Sequence, residues 1–443
     1  MSILDRENTL VEKITFAIEK AKTLGATAVE ASGHVAKATD IQIRMGQVEN
    51  LEFHQDKNLN VNVYFGKSKG LASTTDFDEK ALIQVVEKAC AIAKYTQEDP
   101  ANGLADKQLL AWDYQDLDLY HPWDVEVPEV IAQMIDCEKK ALASDKRLIN
   151  SDGLSFHSGS ALHIYGNSND FIGHYATTSH SLSCSLVAES NGNKERDYDY
   201  TVNRVPEKLV AFNDIAKSAA EKTIRRLDAR SLSPRQVPVI FVPQLARGIF
   251  SQFIAGVSGR NLYNESTFLL NKLNQKIMPD WLSIHEDPFI LQGMASSPFD
   301  AEGVKPKPRN VVKQGVLQGY VLGSYSARRL NMQTTANAGG IHNLLVDNSG
   351  LSFDELVKQM YKGLIVTELL GHGVNLVNGN YSRGAAGFWV ENGEIAYPVH
   401  EITIAGNLTD MLLGITAIAN DVDKRGAIQT GSILIDHMTV AGM

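Results

Sequence analysis

The chain has 443 residues, with 42 Lys and Arg against 52 Asp and Glu, and 44% of its residues are apolar. That length suits two or three domains of about 100–200 residues each, and the apolar content excludes a largely disordered protein. A formal charge of −10 argues against nucleic-acid binding, whose affinity comes from clustered Lys and Arg releasing counterions.

The densest basic stretch, Lys305, Lys307 and Arg309, is broken by Pro306 and Pro308 and preceded by Asp300 and Glu302, so it reads as a solvated loop. Cys90, Cys137 and Cys184 are far apart and form no C-x-x-C pair, which supports neither a disulfide framework nor a cysteine zinc cluster. The N-terminus lacks the basic region and apolar core of a signal peptide. The longest apolar run, Met411–Ala419, is far short of the ~20 residues that span a bilayer. The expected location is the cytoplasm.

In chain order, residues 5–24 place Leu10, Val11, Ile14, Ile18, Ala21 and Leu24 on one helical face. A strand is expected from Ala28, and the period then becomes two. Ile41 and Ile43 alternate with polar neighbours, as do Leu59, Val61 and Val63, which predicts a sheet with one wet face. A helix over 78–95 and a polar linker over 95–111 complete a first unit, residues 1–112.

The second unit, 113–231, opens with a helix over 127–144, with Pro128 in its first turn. Alternating strands follow around His180–Leu186 and Asp197–Tyr200, joined by the hairpin signal Asn191-Gly192. A helix over about 206–228 ends it. The third unit, 232–443, begins with a buried strand over Val237–Val242 and a helix from Pro243 through about Phe253. The rest is rich in strands and glycines, with a helix near 352–361 and an Asn392-Gly393 hairpin. The fold class is therefore α+β, with helix-on-sheet N-terminal units and a larger strand-rich C-terminal one.

Chemical motifs are sparse. Gly66-Lys67-Ser68 has Val61 where a phosphate-binding loop needs its first glycine, so it reads as a hairpin end. No G-x-G-x-x-G occurs, and the letters G-x-S-x-G occur only at Gly66–Gly70, in that same hairpin end. Two stretches imitate half of a zinc hydrolase site, which needs convergent histidines and an acid. In His285-Glu286, Pro288 favours a turn. In Glu368 to His372, Gly371 and Gly373 suggest a helix ending. His342, His400 and His437 have no histidine neighbour and read as packing residues.

Longer motifs carry a resemblance. Ser297–Gly303, Ser324–Arg328, Ala338-Gly339-Gly340 with His342-Asn343, Asn380–Phe388, Glu391–Ile395 and Ile404–Asn407 are similar to the TldD/PmbA family of metallopeptidase-related proteins, and most to its PmbA (TldE) branch. The resemblance implies a zinc site in TldD-type subunits, built from an H-E-x-x-x-H helix after the first strand of the third unit and a cysteine near the C-terminus. Laid on this sequence with Gly248 as anchor, those positions become Val242, Pro243, Arg247 and, near the C-terminus, Thr430. No His, Asp or Glu lies anywhere from 237 to 264. Valine has no lone pair, and a guanidinium is always cationic and accepts no hydrogen bond.

The resemblance therefore implies a subunit with no catalytic or metal-binding residue of its own, paired with a zinc-bearing TldD-like subunit. Such complexes hydrolyse unfolded or short peptides, including peptide-antibiotic precursors and antitoxins, and the family's older description is modulator of DNA gyrase. A homodimer is the expected state without the partner. Segments 336–343 and 371–387 are expected to face partner or peptide, with Gly339, Gly340, Asn380, Tyr381, Arg383 and Gly384 as candidates. Two alternatives remain. One is an autonomous metallopeptidase using His285, Glu286, Glu368 and His372. The other is a non-hydrolytic peptide-binding or gyrase-linked regulatory protein.

Overall fold

The structure, a computed structural model, describes residues 3–442. The N-terminal half runs α1 (Glu7–Thr23), β1 (Ala28–Arg44), β2 (Gln47–Phe65), β3 (Ser68–Thr74), α2 (Glu79–Tyr95), α3 (Val127–Ala143), β4 (Leu148–Asn167), β5 (Ile172–Ser190), β6 (Asn193–Asn203) and α4 (Phe212–Arg225). Its strands form one antiparallel sheet in the order β3-β2-β1-β4-β5-β6. The two short strand signals near 28 and 41 thus belong to one 17-residue strand. The expected helix over 206–228 starts late, because Pro206–Lys208 forms a separate 3-10 turn before α4.

Period-two patterning decides the layering. Val29, Ala31, Val35, Ile41 and Ile43 of β1 share one face. The first three pack with α1 and α2, and the two isoleucines with α3 and α4. The helices supply matching stripes, such as Leu10, Ile14, Ala17, Ile18 and Ala21 of α1. All four helices therefore cover one face of the sheet. The opposite face carries the alternate residues, among them Glu30, His34, His163 and Tyr175, and it meets the C-terminal half.

That half runs β7 (Arg235–Phe241), α5 (Pro243–Gly256), α6 (Gly259–Tyr263), β8 (Ile284–Asp287), β9 (Arg309–Lys313), β10 (Val316–Leu317), α7 (Ser324–Arg329), β11 (Asn343–Val346), α8 (Phe353–Met360), β12 (Gly363–Leu370), β13 (Asn380–Glu391), β14 (Glu394–Asn407), α9 (Leu408–Leu413), β15 (Ile415–Ile418), β16 (Ile428–Gln429) and β17 (Ile433–Gly442). One sheet has the order β14-β13-β12-β7-β17-β15, and β14 also pairs with β17, so five strands close on themselves. The other sheet is β10-β9-β8-β11-β16. Phe250 and Phe253 of α5 are wholly buried with residues of both sheets, each contributing about 1.5–3 kcal/mol of transfer free energy.

One expectation is overturned here. Glu368 does not lie in a helix ending at Gly371. Leu364, Ile365 and Val366 are buried in β12 between β7 and β13, and a short apolar run of this kind suits a covered strand. The Asn392-Gly393 pair has φ of 55° and 76°, the left-handed pair that a two-residue hairpin requires.

The polar segment 95–111 is docked rather than free. Arg328 of α7 donates from Nη1 to Ala101 O and Gly103 O at 3.0 and 2.9 Å, and from Nη2 to Leu104 O. Tyr325 donates to Asp99 at 2.7 Å. The Ser324–Arg328 motif is thus a latch holding the first helical unit against the C-terminal half.

Candidate functional site

Helix α5 begins where β7 ends. Val242 is its N-cap, with extended φ and ψ of −61° and 158° and no side-chain capping bond, and Pro243 opens the first turn, where its missing N–H costs nothing. One turn on, Arg247 donates from Nη2 to the Tyr200 hydroxyl of β6 at 2.8 Å and lies 3.7 Å from Asp423 Oδ2. Asp423 also accepts from Arg425 Nε at 2.9 Å and Nη2 at 3.1 Å. The Arg425 guanidinium sits over the Tyr200 ring, 4.1 Å from its centroid. Thr430 joins through its backbone, accepting the Asp423 N–H at 3.1 Å, and its own hydroxyl donates to Gly431 O. The structure thus brings Arg247 and Thr430 together around Asp423.

Burial alone would raise the Asp423 carboxyl, but hydrogen bonds from Arg425 and the nearby charges of Arg425 and Arg247 outweigh it and hold the pKa below the usual carboxylate range. Asp199, half-buried beside Ser218 and Lys222, is held low by the same balance. Next to this network a cavity of about 290 Å³ opens at the start of α5, lined by Val242, Leu245, Ile365 and Phe388 and by Tyr198 and Arg225 from the N-terminal half.

The two half-sites do not converge. His285 and Glu286 are successive residues of β8 and point to opposite faces. Glu286 is 1% exposed and fully engaged. It takes Arg309 Nε at 2.7 Å, Asn337 Nδ2 at 2.7 Å and the His342 N–H at 2.9 Å. Arg309 is therefore a half-buried ion-pair partner rather than part of a solvated loop. Glu368 belongs to the other sheet and is bound by Arg226, which also meets Glu195 at 3.3 Å. His372 is exposed. Among the described residues, no group of three or more His, Cys, Asp or Glu side chains could hold a metal ion.

The glycine-rich candidates separate. Asn380–Gly387 is the body of β13 rather than a loop. Tyr381 is 4% exposed and belongs to the core, so its expected partner-facing role is corrected. Arg383 and Gly384 are half-buried, and Asn380 is exposed. Gly339 and Gly340 are exposed and rim a second cavity, about 480 Å³, between the polar face of the N-terminal sheet and the loops 294–301 and 338–342. Its walls include His34, His163, Tyr175 and Arg204. Sequence reasoning missed all four, because strand register brings His34, His163 and Tyr175 together and Arg204 joins them from just beyond β6. The only signal was the alternation that put them on the wet face.

The comparisons with known proteins agree along the whole chain. Residues 29–93, 120–227 and 234–442 match the models of the first, central and C-terminal domains of the PmbA/TldA metallopeptidases. A Haemophilus influenzae protein called metalloprotease PmbA homolog is 46% identical over 438 residues, covering 99% of this chain and 97% of that one. The chain belongs to the PmbA/TldD family. Metalloprotease PmbA of Escherichia coli O157:H7 is likewise 46% identical, over 98% of this chain and 96% of its own. The Haemophilus metalloprotease TldD homolog is 23% identical over 298 residues, covering 59% of this chain and 61% of its own. TldE from Thermococcus kodakarensis shares the fold with a TM-score of 0.86 at 19% identity, covering 97% of this chain and all of its own.

The PmbA/TldD family is named for metal-dependent proteolysis, and zinc is consistent with it. The residues at the start of α5 do not fit a divalent cation. Val242 and Pro243 offer no side-chain donor atom, and Arg247 brings a fixed positive charge whose partners are Tyr200 and Asp423. A Cβ on Gly426 would lie 2.8 Å from Arg247 Nη1, so the neighbouring backbone is shaped around the guanidinium.

Proposed function

We propose that this chain is the non-catalytic subunit of a heterodimeric PmbA/TldD-type peptidase, whose TldD-like partner carries the zinc and cuts unfolded or short peptides. The observation that carries the reading is Arg247 joined to Tyr200 and Asp423 at the head of α5, an arrangement that repels a metal ion. The alternative of an autonomous metallopeptidase is disfavoured by Glu286, whose oxygens are committed to Arg309, Asn337 and His342. A purely regulatory peptide-binding or gyrase-linked role has no specific feature in its favour.

A partner surface is supported by the distal part of β2. Residues 47–58 pair with β1 on one side only, because β3 ends at Thr74, opposite Leu59. Val48, Leu51 and Phe53 are exposed along this open edge, which is suited to strand addition or apolar docking. In this reading the edge receives the TldD-like subunit, or a second copy of this chain when that subunit is missing. Among the described residues no helix is long and apolar enough to cross a membrane, and the proposed location is the cytoplasm.

The test is a peptidase assay on an unfolded peptide, using the chain alone, its TldD-like partner alone and both together, each with and without a chelator. Hydrolysis that needs the partner and stops on chelation supports the reading. Chelator-sensitive cleavage by this chain alone, with stoichiometric bound metal, overturns it.

A further inference from the structure

Arg204 follows the last residue of β6 and carries a buried charge that no acid among the described residues neutralises. It is 7% exposed. Its Nε donates to Gly293 O, Nη1 to Thr178 O and Nη2 to Met294 O, each at 3.0 Å. Among the described residues, no Asp or Glu oxygen lies within 4.0 Å of its nitrogens. Buried charges are ordinarily paired, and three carbonyl dipoles are a partial substitute for an anion. They use three of the five guanidinium N–H groups, which leaves one on each terminal nitrogen.

Arg204 lines the 480 Å³ cavity, a volume within the range of small-ligand sites. Asp300 lines it too but does not supply the missing charge, since its oxygens are committed elsewhere. Oδ1 accepts the Glu302 and Val304 N–H groups at 2.9 Å, and Oδ2 accepts the Ala338 N–H at 3.0 Å. Across the sheet, His34 of β1, His163 of β4 and Tyr175 of β5 are direct register partners. Their rings form a continuous wall, with centroids 4.9 and 5.1 Å apart. Burial, with the charges of His34 and Arg204, brings the His163 pKa down to about 4, so this wall is uncharged at neutral pH. At the rim, a Cβ on Gly340 would meet no heavy atom within 4 Å, leaving space for an incoming chain.

We infer that this cavity holds the C-terminal carboxylate of a short peptide, with Arg204 as its counter-ion and the His34–His163–Tyr175 row as the surface for the terminal side chain. A carboxylate offers two oxygens to the two free guanidinium N–H groups, and an aromatic wall suits an apolar or aromatic last residue. The inference rests on the reading that peptides are the substrates of the complex, and gives this chain a substrate-holding role away from the head of α5.

Calorimetry on the full chain tests it with three probes: the tripeptide Ala-Ala-Phe as free acid, the same peptide as C-terminal amide, and inorganic phosphate. The free acid should bind at least ten-fold more tightly than the amide, and phosphate should not displace it. Equal affinity for acid and amide, no binding of the acid, or displacement by phosphate at equal concentration each overturn the inference. Arg204→Lys keeps the charge but loses the planar fork, and should weaken the free acid about ten-fold without changing the amide. Unchanged binding of the acid by that variant also overturns the site. Should it not fold, the acid-to-amide comparison on the natural chain decides alone. Partner-dependent hydrolysis without such binding removes only the carboxylate site and leaves the proposed function standing.

Discussion

Arg247 of α5 donates to the hydroxyl of Tyr200 on β6 across 2.8 Å, tying the two halves of the molecule together at the position where the family resemblance places a metal ligand. Removing either member tests whether this bond is structural. Arg247→Met leaves Asp423 with one guanidinium instead of two and should cost about 1–3 kcal/mol, and Tyr200→Phe about 0.5–1.5 kcal/mol. The double variant should cost less than the sum. Denaturant unfolding reads all three, and additive losses would show that the two residues act independently.

Glu286 sits among Arg309, Asn337 and His342 with almost no exposure. Glu286→Ala strands the Arg309 charge and should destabilise by about 3–5 kcal/mol, seen as a large fall in thermal midpoint. Metal content of the purified protein should be unaffected. Loss of a bound metal from this variant would revive Glu286 as a ligand.

Gly387 and Gly384 lie three residues apart in β13 with opposite tolerance. A Cβ on Gly387 would stand 1.8 Å from the Ile365 carbonyl oxygen, whereas one on Gly384 would meet Leu370 Cβ at 3.2 Å. Gly387→Ala forces strands β12 and β13 apart and should cost about 3 kcal/mol or more, while Gly384→Ala should stay within about 1 kcal/mol. Comparable thermal midpoints for the two would contradict this.

Arg328 holds the segment around Ala101–Leu104 through its carbonyl oxygens. Arg328→Ala should free that segment while the sheets stay intact, and limited proteolysis should then show faster nicking between residues 96 and 111. Cleavage rates equal to those of the natural chain would mean that the buried Ala101, Ala105, Leu110 and Ala111 suffice.

His163 is held neutral down to about pH 4, first by burial and then by His34 and Arg204. Its folded pKa lies below the unfolded value of 6.5, so the unfolded chain takes the proton first as pH falls. Stability present above pH 6.5 is therefore lost progressively down to about pH 4, by at most about 3 kcal/mol. Asp300 works in the opposite sense. Burial and Glu302 lift its carboxyl to about 7, so ionisation in the unfolded chain costs stability as pH rises from about 4 to about 7. His163→Phe should remove the first component, making the difference from the natural chain shrink between pH 7 and pH 4.5. A pH-independent difference would contradict the assignment.

Much of the fold was legible because local rules govern it. The stripe Leu10, Ile14 and Ile18 marked α1, the alternation Leu59, Val61 and Val63 marked β2, and Asn191-Gly192 and Asn392-Gly393 marked two hairpins. Glu368–His372 misled because a glutamate, two leucines and a glycine fit a helix end as well as the end of a strand. Burial of Leu364, Ile365 and Val366 between two neighbouring strands settled it, and pairing partners are not written in a local window. Tyr381 shows the same limit, since an aromatic residue beside glycines suits a binding surface or a core.

The sequence by itself determined that the helix after Phe241 carries no histidine or acid of its own, because side-chain chemistry needs no neighbours to be known. It also determined the alternation that gives the N-terminal sheet one apolar and one polar face. Only the tertiary structure decided what stands at those positions: Arg247 against Tyr200 and Asp423, and Arg204 buried without an acid beside the row His34, His163 and Tyr175. Those relationships join residues up to about two hundred positions apart, and distance in space follows from strand register and sheet packing, which no short stretch of chain encodes.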